Sequence, residues 1–218
     1  MSKKETYKRF VVVALFAIAM AFLEAVFVVY LRNLSPSADA SLIHKVELAR
    51  EAATIIMLAC IGILAGRERY EKFAFFIYSF AIWDIFYYVF LKLTLNWPPS
   101  ILTWDTLFLI PITWVGPVLA PVLVSATMIF FAVIIEEAEN TRKKVYLRLS
   151  EEALLVGGCL VILFTFLYEY AKLLIQNGSQ NLQQMLAYTP TTYNWTLFIV
   201  GEIIIFVGIA LFYYRYKK

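Results

Sequence analysis

The chain has 218 residues, of which 62% are hydrophobic and 16% charged, against about 45–50% and about 25% in soluble domains. With a mean hydropathy of +0.75, this composition excludes a soluble domain with a single anchor and leaves no room for a sizeable extramembrane domain. The net charge of +3 does not signal nucleic acid, because the basic residues sit in short loops and tails where they orient a membrane protein.

The predicted fold is all-α: a polytopic membrane helical bundle forming one integral membrane domain over residues 1–218. Its six spans lie near 10–31, 46–66, 73–94, 112–135, 153–176 and 195–213, each about 20 residues, as a bilayer core requires. The first follows a basic start and resembles a signal peptide, with Ala38 and Ala40 in small-residue spacing. Its apolar run exceeds the roughly 7–15 residues of a signal h-region and carries Glu24, so it is expected to stay as a span. Span two is apolar only from Ala52 onward, with Glu47, Arg50 and Glu51 in its first turns. Cys60 and Cys159 fall inside apolar segments and read as buried free thiols.

Residues 101–123, ILTWDTLFLIPITWVGPVLAPVL, are oily yet broken by Pro111, Pro117 and Pro121. As a helix, 101–114 would cover only about 21 Å, short of the roughly 30 Å core. Each proline also removes a donor from the helical ladder. The stretch is therefore expected to be a re-entrant or half-helix element, or a kinked interfacial helix, forming the outer lip of span four. Its Trp104 and Asp105 repeat the pair Trp83 and Asp84. The acidic run Glu136, Glu137 and Glu139 at the other end of span four reads as a solvated cap.

Fourteen of the 19 Lys and Arg residues fall on one side of a six-span arrangement. They include Lys3, Lys4, Lys8 and Arg9, Arg67, Arg69 and Lys72, Arg142, Lys143, Lys144 and Arg148, and the C-terminal Arg215, Lys217 and Lys218. The positive-inside rule places both termini in the cytoplasm of a cell-membrane protein. Trp97, Trp104 and Trp195 then fall at the outer interface.

Ionisable residues inside spans mark cavities, proton paths or ion pairs. Glu24, Glu169 and Glu202 each lie seven residues from the outer ends of their spans, a depth of ~10 Å. Asp84 is slightly deeper, Glu51 shallower, and Asp105 heads the broken segment. Asp84, Tyr88 and Lys92 recur every four residues as one polar stripe, as do Thr165, Glu169, Lys172 and Gln176 at four-three-four spacing. Arg32, Arg50, Lys92 and Lys172 supply cations in the same layer. The predicted pocket comprises Glu24, Arg50, Glu51, Asp84, Tyr88, Lys92, Asp105, Glu169 and Glu202, with Asp84 and Asp105 as two of its walls. Ion pairing that locks helices together is the structural alternative for each acid.

The single His44 in an outer loop rules out a bis-His haem site, and nucleophile elbows, P-loops and GxGxxG motifs are missing. No cofactor or metal is expected, since the cations among the carboxylates argue against a dedicated cage.

The stretches VVYLR (28–32), EAAT (51–54), WDIFYY (83–88) and NWPPSILTWDTLFLIPITWVGPVLAP (96–121) resemble a family of uncharacterised prokaryotic six-span membrane proteins. The likeness covers roughly the first 125 residues and implies no catalytic assignment. The architecture is also similar to the substrate-binding subunits of energy-coupling-factor vitamin transporters, without their characteristic loops. That likeness implies a membrane partner docked on small residues of span one, here Ala17, Ala21 and Ala25.

Three functions compete. A transporter or its substrate-binding subunit would use the outward-facing carboxylates for a small solute or cation. An intramembrane enzyme acting on a lipid-like substrate near the outer leaflet would use Asp84 or Glu51 as acid or base, with Asp105 and Tyr88 positioning the substrate. A structural or assembly subunit would use the buried ion pairs to fix helix register.

Overall fold

The computed structural model describes residues 3–32, 40–141, 145–177 and 192–217. The basic run Arg142, Lys143 and Lys144, the Ala38 position and the side chains of Arg32, Ala40 and Gln176 lie outside the described residues. The elements are α1 (Lys3–Arg32), α2 (Ala40–Ala65), α3 (Arg69–Leu95), β1 (Trp104–Phe108), β2 (Trp114–Pro117), α4 (Leu119–Thr141), α5 (Leu149–Asn177) and α6 (Trp195–Lys217). All six helices are long and apolar enough to cross a membrane, as the composition requires.

The chain divides into two compact units, one of Met1–Ser100, Val122–Tyr146 and Tyr216–Lys218, the other of Ile101–Pro121 and Leu147–Arg215. In the first, α3 is the central helix, packed on α1 and α2. Phe10 of α1 meets Phe75 and Tyr78 of α3 at ring separations of 5.1 and 4.8 Å. Gly62 of α2 sits so close to α3 that a Cβ there would stand 2.8 Å from the Phe76 backbone. The helix ends at Asn96 in the left-handed conformation (φ 51°), which asparagine tolerates better than most residues.

The Ala row of α1 has another role than the one predicted. Ala17, Ala21 and Ala25 are all 0% exposed inside the chain, so they form an internal packing seam and present no surface to a partner subunit. Small residues let helix backbones approach closely wherever they face a neighbour, within a chain as readily as between chains. The two cysteines also depart from expectation. Cys60 and Cys159 are free but exposed, on helices α2 and α5 whose surfaces also carry the exposed Leu64 and Leu160.

The proline-broken segment of the second unit is a β-hairpin, neither a half-helix nor a kinked helix. Strands β1 and β2 pair antiparallel, with Trp104 opposite Pro117, Asp105 opposite Gly116 and Thr106 opposite Val115, and a register shift before Phe108. Each proline has a place in this arrangement. Pro111 lies in the turn, Pro117 ends a strand, and Pro121 occupies the first turn of α4, where a helical N–H has no acceptor. Backbone bonds from Val118 N to Thr103 O (3.0 Å) and Leu119 N to Ile101 O (2.8 Å) tie the hairpin base to the start of α4.

Strand β2 lies on α5. Val115 and Tyr170 are buried together with Trp104 and Ile112 against them, and Trp114 stacks on Phe166 at 6.4 Å. Gly116 suits this approach, since a Cβ would fall 3.0 Å from the Phe166 ring, which would have to give by a few tenths of an ångström. Helices α5 and α6 cross at Gly158 and Gly201, where a Cβ on Gly158 would stand 2.7 Å from the Gly201 carbonyl oxygen. Further along, Arg215 Nε and Nη2 donate to the two oxygens of buried Glu151 at 2.8 and 2.6 Å, joining the last turn of α6 to the first of α5.

Candidate functional site

The predicted site residues separate into two groups, each within its own unit. In the first unit, Arg50 of α2 is the hub. Its guanidinium pairs with Glu24 of α1, donates from Nε to Glu47 at 2.5 Å one turn earlier on α2, and lies 5.2 Å from the Phe27 ring centre. Thr54, one turn beyond Arg50, donates to the second Glu24 oxygen at 3.4 Å. Glu51 is buried, and its charge acts on the same guanidinium. The structure thus gathers Glu24, Arg50 and Glu51, and adds Glu47 and Thr54.

Other members of the predicted pocket have separate duties. Asp84 is 9% exposed and accepts a hydrogen bond from Ser125 of α4 at 2.9 Å. Tyr88 is buried one turn on, its ring 6.4 Å from Trp97. Lys92 leaves the stripe: it is exposed, and its Nζ donates to the Pro98 carbonyl at 3.0 Å, beyond the C-terminus of α3. A cation at that end satisfies backbone acceptors and complements the helix dipole. Asp105 is a half-buried strand residue of the hairpin in the second unit. It is therefore assigned to a different unit from Asp84.

The second unit contains a cavity of about 300 Å³ lined by Phe164, Thr165, Tyr168, Glu169, Thr192, Tyr193, Asn194 and Leu197. One face of α5 supplies four of these side chains at helical spacing, and the segment entering α6 supplies the others, with Leu197 in the first turn of that helix. Tyr193 is the organising residue. Its hydroxyl is 2.7 Å from that of Thr165, and its ring meets Trp104, Phe166 and Trp195 at 5.8, 6.2 and 4.8 Å. Burial pushes the Tyr193 phenol up from the ordinary range; the Thr165 hydrogen bond works against this, and the charge of half-buried Glu202 adds to it. The ring is therefore a neutral wall at physiological pH. Asn194 caps α6, its Oδ1 accepting from Leu197 N at 3.0 Å. Of the nine predicted site residues, Glu169 is the one among the described lining residues, and the charge of Glu202 acts on Tyr193.

A third polar cluster went unpredicted. In the first unit, Arg9 of α1 pairs with Glu71 of α3 at 2.9 Å and donates from Nε to the Ala65 carbonyl at 2.8 Å. Glu71 also accepts from Arg67 N at 2.7 Å. Beside them is Glu136 of α4, which the sequence suggested to be solvent-exposed. It is instead 2% exposed, and neither carboxyl oxygen is hydrogen-bonded among the described residues. The charged groups acting on it are Glu71, Arg9 and Glu139. An acidic run at a helix end carries no sign of which member turns inward.

No group of three or more potential ligands suited to a metal ion occurs among the described residues. Comparison with known proteins found no matching family model, no similar curated protein and no similar solved structure.

Proposed function

We propose that the chain is a membrane transporter or the substrate-binding subunit of one, taking a small solute in the cavity of its second unit. The observation that carries this reading is the cavity itself: about 300 Å³, with the Glu169 carboxylate, two threonines and an asparagine set among aromatic rings. Ligand sites are typically concave and largely apolar, with a few polar groups that fix orientation, and this volume suits a small molecule. An ionisable residue inside a membrane helix marks a functional site by default. The excess of Lys and Arg on one side supports cytoplasmic termini and an outward-facing mouth, in the cell membrane.

The test is a thermal-stabilisation screen of amino acids, polyamines, sugars and nucleosides on the purified chain, followed by uptake into proteoliposomes. A true cavity ligand loses its effect in Glu169→Gln and in Thr192→Trp, which fills the space. Flux by the chain alone makes it a transporter, and binding without flux makes it a subunit. Ligands that stabilise wild type and Thr192→Trp equally would overturn the assignment of the cavity.

A structural role for the Glu24–Arg50–Glu47 cluster is the second reading, favoured by the direct bonding of Arg50 to both acids. It concerns the first unit and is compatible with solute binding in the second.

A further inference from the structure

We infer that Glu136 is a proton-binding site of the first unit, linked to the Arg9–Glu71 ion pair beside it. The site stands apart from the cavity of the second unit and does not rest on it. Two carboxyl groups share the neighbourhood of one guanidinium, and the hydrogen-bond donors are divided unequally between them. Glu71 accepts from Arg9 Nη2 at 2.9 Å and from Arg67 N at 2.7 Å. It also lies in the first turn of α3, where the helix dipole favours an anion. Glu136 of α4 is 2% exposed, and neither of its carboxyl oxygens is hydrogen-bonded among the described residues. Asn140, one turn further on, commits its amide to the Glu136 backbone carbonyl at 2.8 Å and to the Thr6 hydroxyl at 3.3 Å, and not to the carboxyl.

A carboxylate buried without a donor is the costly form of the group, whereas the neutral acid needs only a proton. Among the described residues, the charged groups acting on Glu136 are Glu71 of α3, Arg9 of α1 and Glu139 of its own helix, and Glu68 acts in turn on Glu139. Two anions thus oppose one cation. That cation is already held by Glu71, by the Ala65 carbonyl at 2.8 Å and by the Phe75 ring at 4.7 Å. Arg9 therefore balances one acid of the two. Releasing the Glu136 proton sets a second anion in the field of the same guanidinium and weakens its hold on Glu71; taking the proton up restores that hold. The pair joins α1 to α3 while the acid sits on α4, so one proton bears on the packing of three helices. A metal ion is the poorer occupant, since no group of three or more suitable ligands occurs among the described residues. Proton binding is also a common duty of ionisable groups in membrane helices.

The experiment records the infrared carbonyl band of protonated carboxylic acids in the full chain in detergent. At neutral pH the wild type should show one such band that Glu136→Gln lacks, and raising the pH should remove it reversibly. Glu71→Gln takes away an anion and frees Arg9, and both effects favour ionised Glu136, so the band should be lost at a lower pH than in wild type. Glu139→Gln, at a half-buried position, gives the same direction on a smaller scale and serves if Glu71→Gln folds poorly. Spectra of wild type and Glu136→Gln that coincide at neutral pH overturn the proton site. A band that titrates identically in wild type, Glu71→Gln and Glu139→Gln overturns its link to the ion pair.

Discussion

Replacing Arg50 by methionine should cost the protein far more than replacing any one of its acidic partners. Arg50 is 22% exposed, and its partners Glu24 and Glu47 are 10% and 13% exposed at the side chain. Removing the guanidinium strands both carboxylates, with Glu51 close by, in a segment that crosses a membrane. Breaking a buried pair from one side typically costs about 3–5 kcal/mol, because the remaining charge is left uncompensated. Glu24→Gln is milder. Arg50 keeps Glu47, and the new amide can still accept from Thr54, so the loss is about 1.5–2 kcal/mol, the low end for one charged hydrogen bond. Equilibrium unfolding in mixed micelles, followed by tryptophan fluorescence, measures both values. An R50M variant as stable as wild type, or an E24Q variant as damaged as R50M, would refute the view that one cation balances these acids.

Two further outcomes can be measured in the same preparation. Glu136→Met should leave stability unchanged or raise it by about 1–3 kcal/mol, since it removes a buried carboxyl whose oxygens find no hydrogen bond among the described residues, while Arg9 keeps Glu71; a fall in melting temperature would contradict this. Tyr193 binds its proton more tightly folded than unfolded, so its contribution to stability is complete below about pH 10 and declines above it, by at most about 1.4 kcal/mol per pH unit and less for its partial exposure. Tyr193→Phe should flatten that alkaline decline, measured as melting temperature against pH.

The spans were legible because a bilayer demands length and apolarity, and both are visible in one dimension. The i,i+3 relation of Glu47 and Arg50 was legible for the same reason, since helical spacing is local. Which face of each helix turns inward was not. The helices are apolar nearly all round, so the pattern that reveals a buried face in a soluble helix is weak here. Hence the Ala row of α1 read as a docking surface when it is a seam, and Glu136 read as solvated when it is buried. The Asp84–Ser125 and Arg9–Glu71 pairs join residues 41 and 62 positions apart, and no spacing rule reaches that far. In the broken segment the prolines disfavour a regular helix without saying what replaces it, and Trp, Thr, Val and Phe serve a strand pair equally well, so the hairpin is not visible in the spacing.

The hairpin also serves as a depth gauge. A two-strand ribbon has two rims of amide and carbonyl groups, and hydrocarbon offers them nothing to bond to. Each rim must therefore meet water, headgroups or packed protein, which bars the ribbon from lying naked among acyl chains. Its Trp104 ring touches Tyr193, the residue that walls the cavity. The residue that walls the cavity is thus packed against a ribbon whose position is limited to places where water, headgroups or protein can satisfy both its rims.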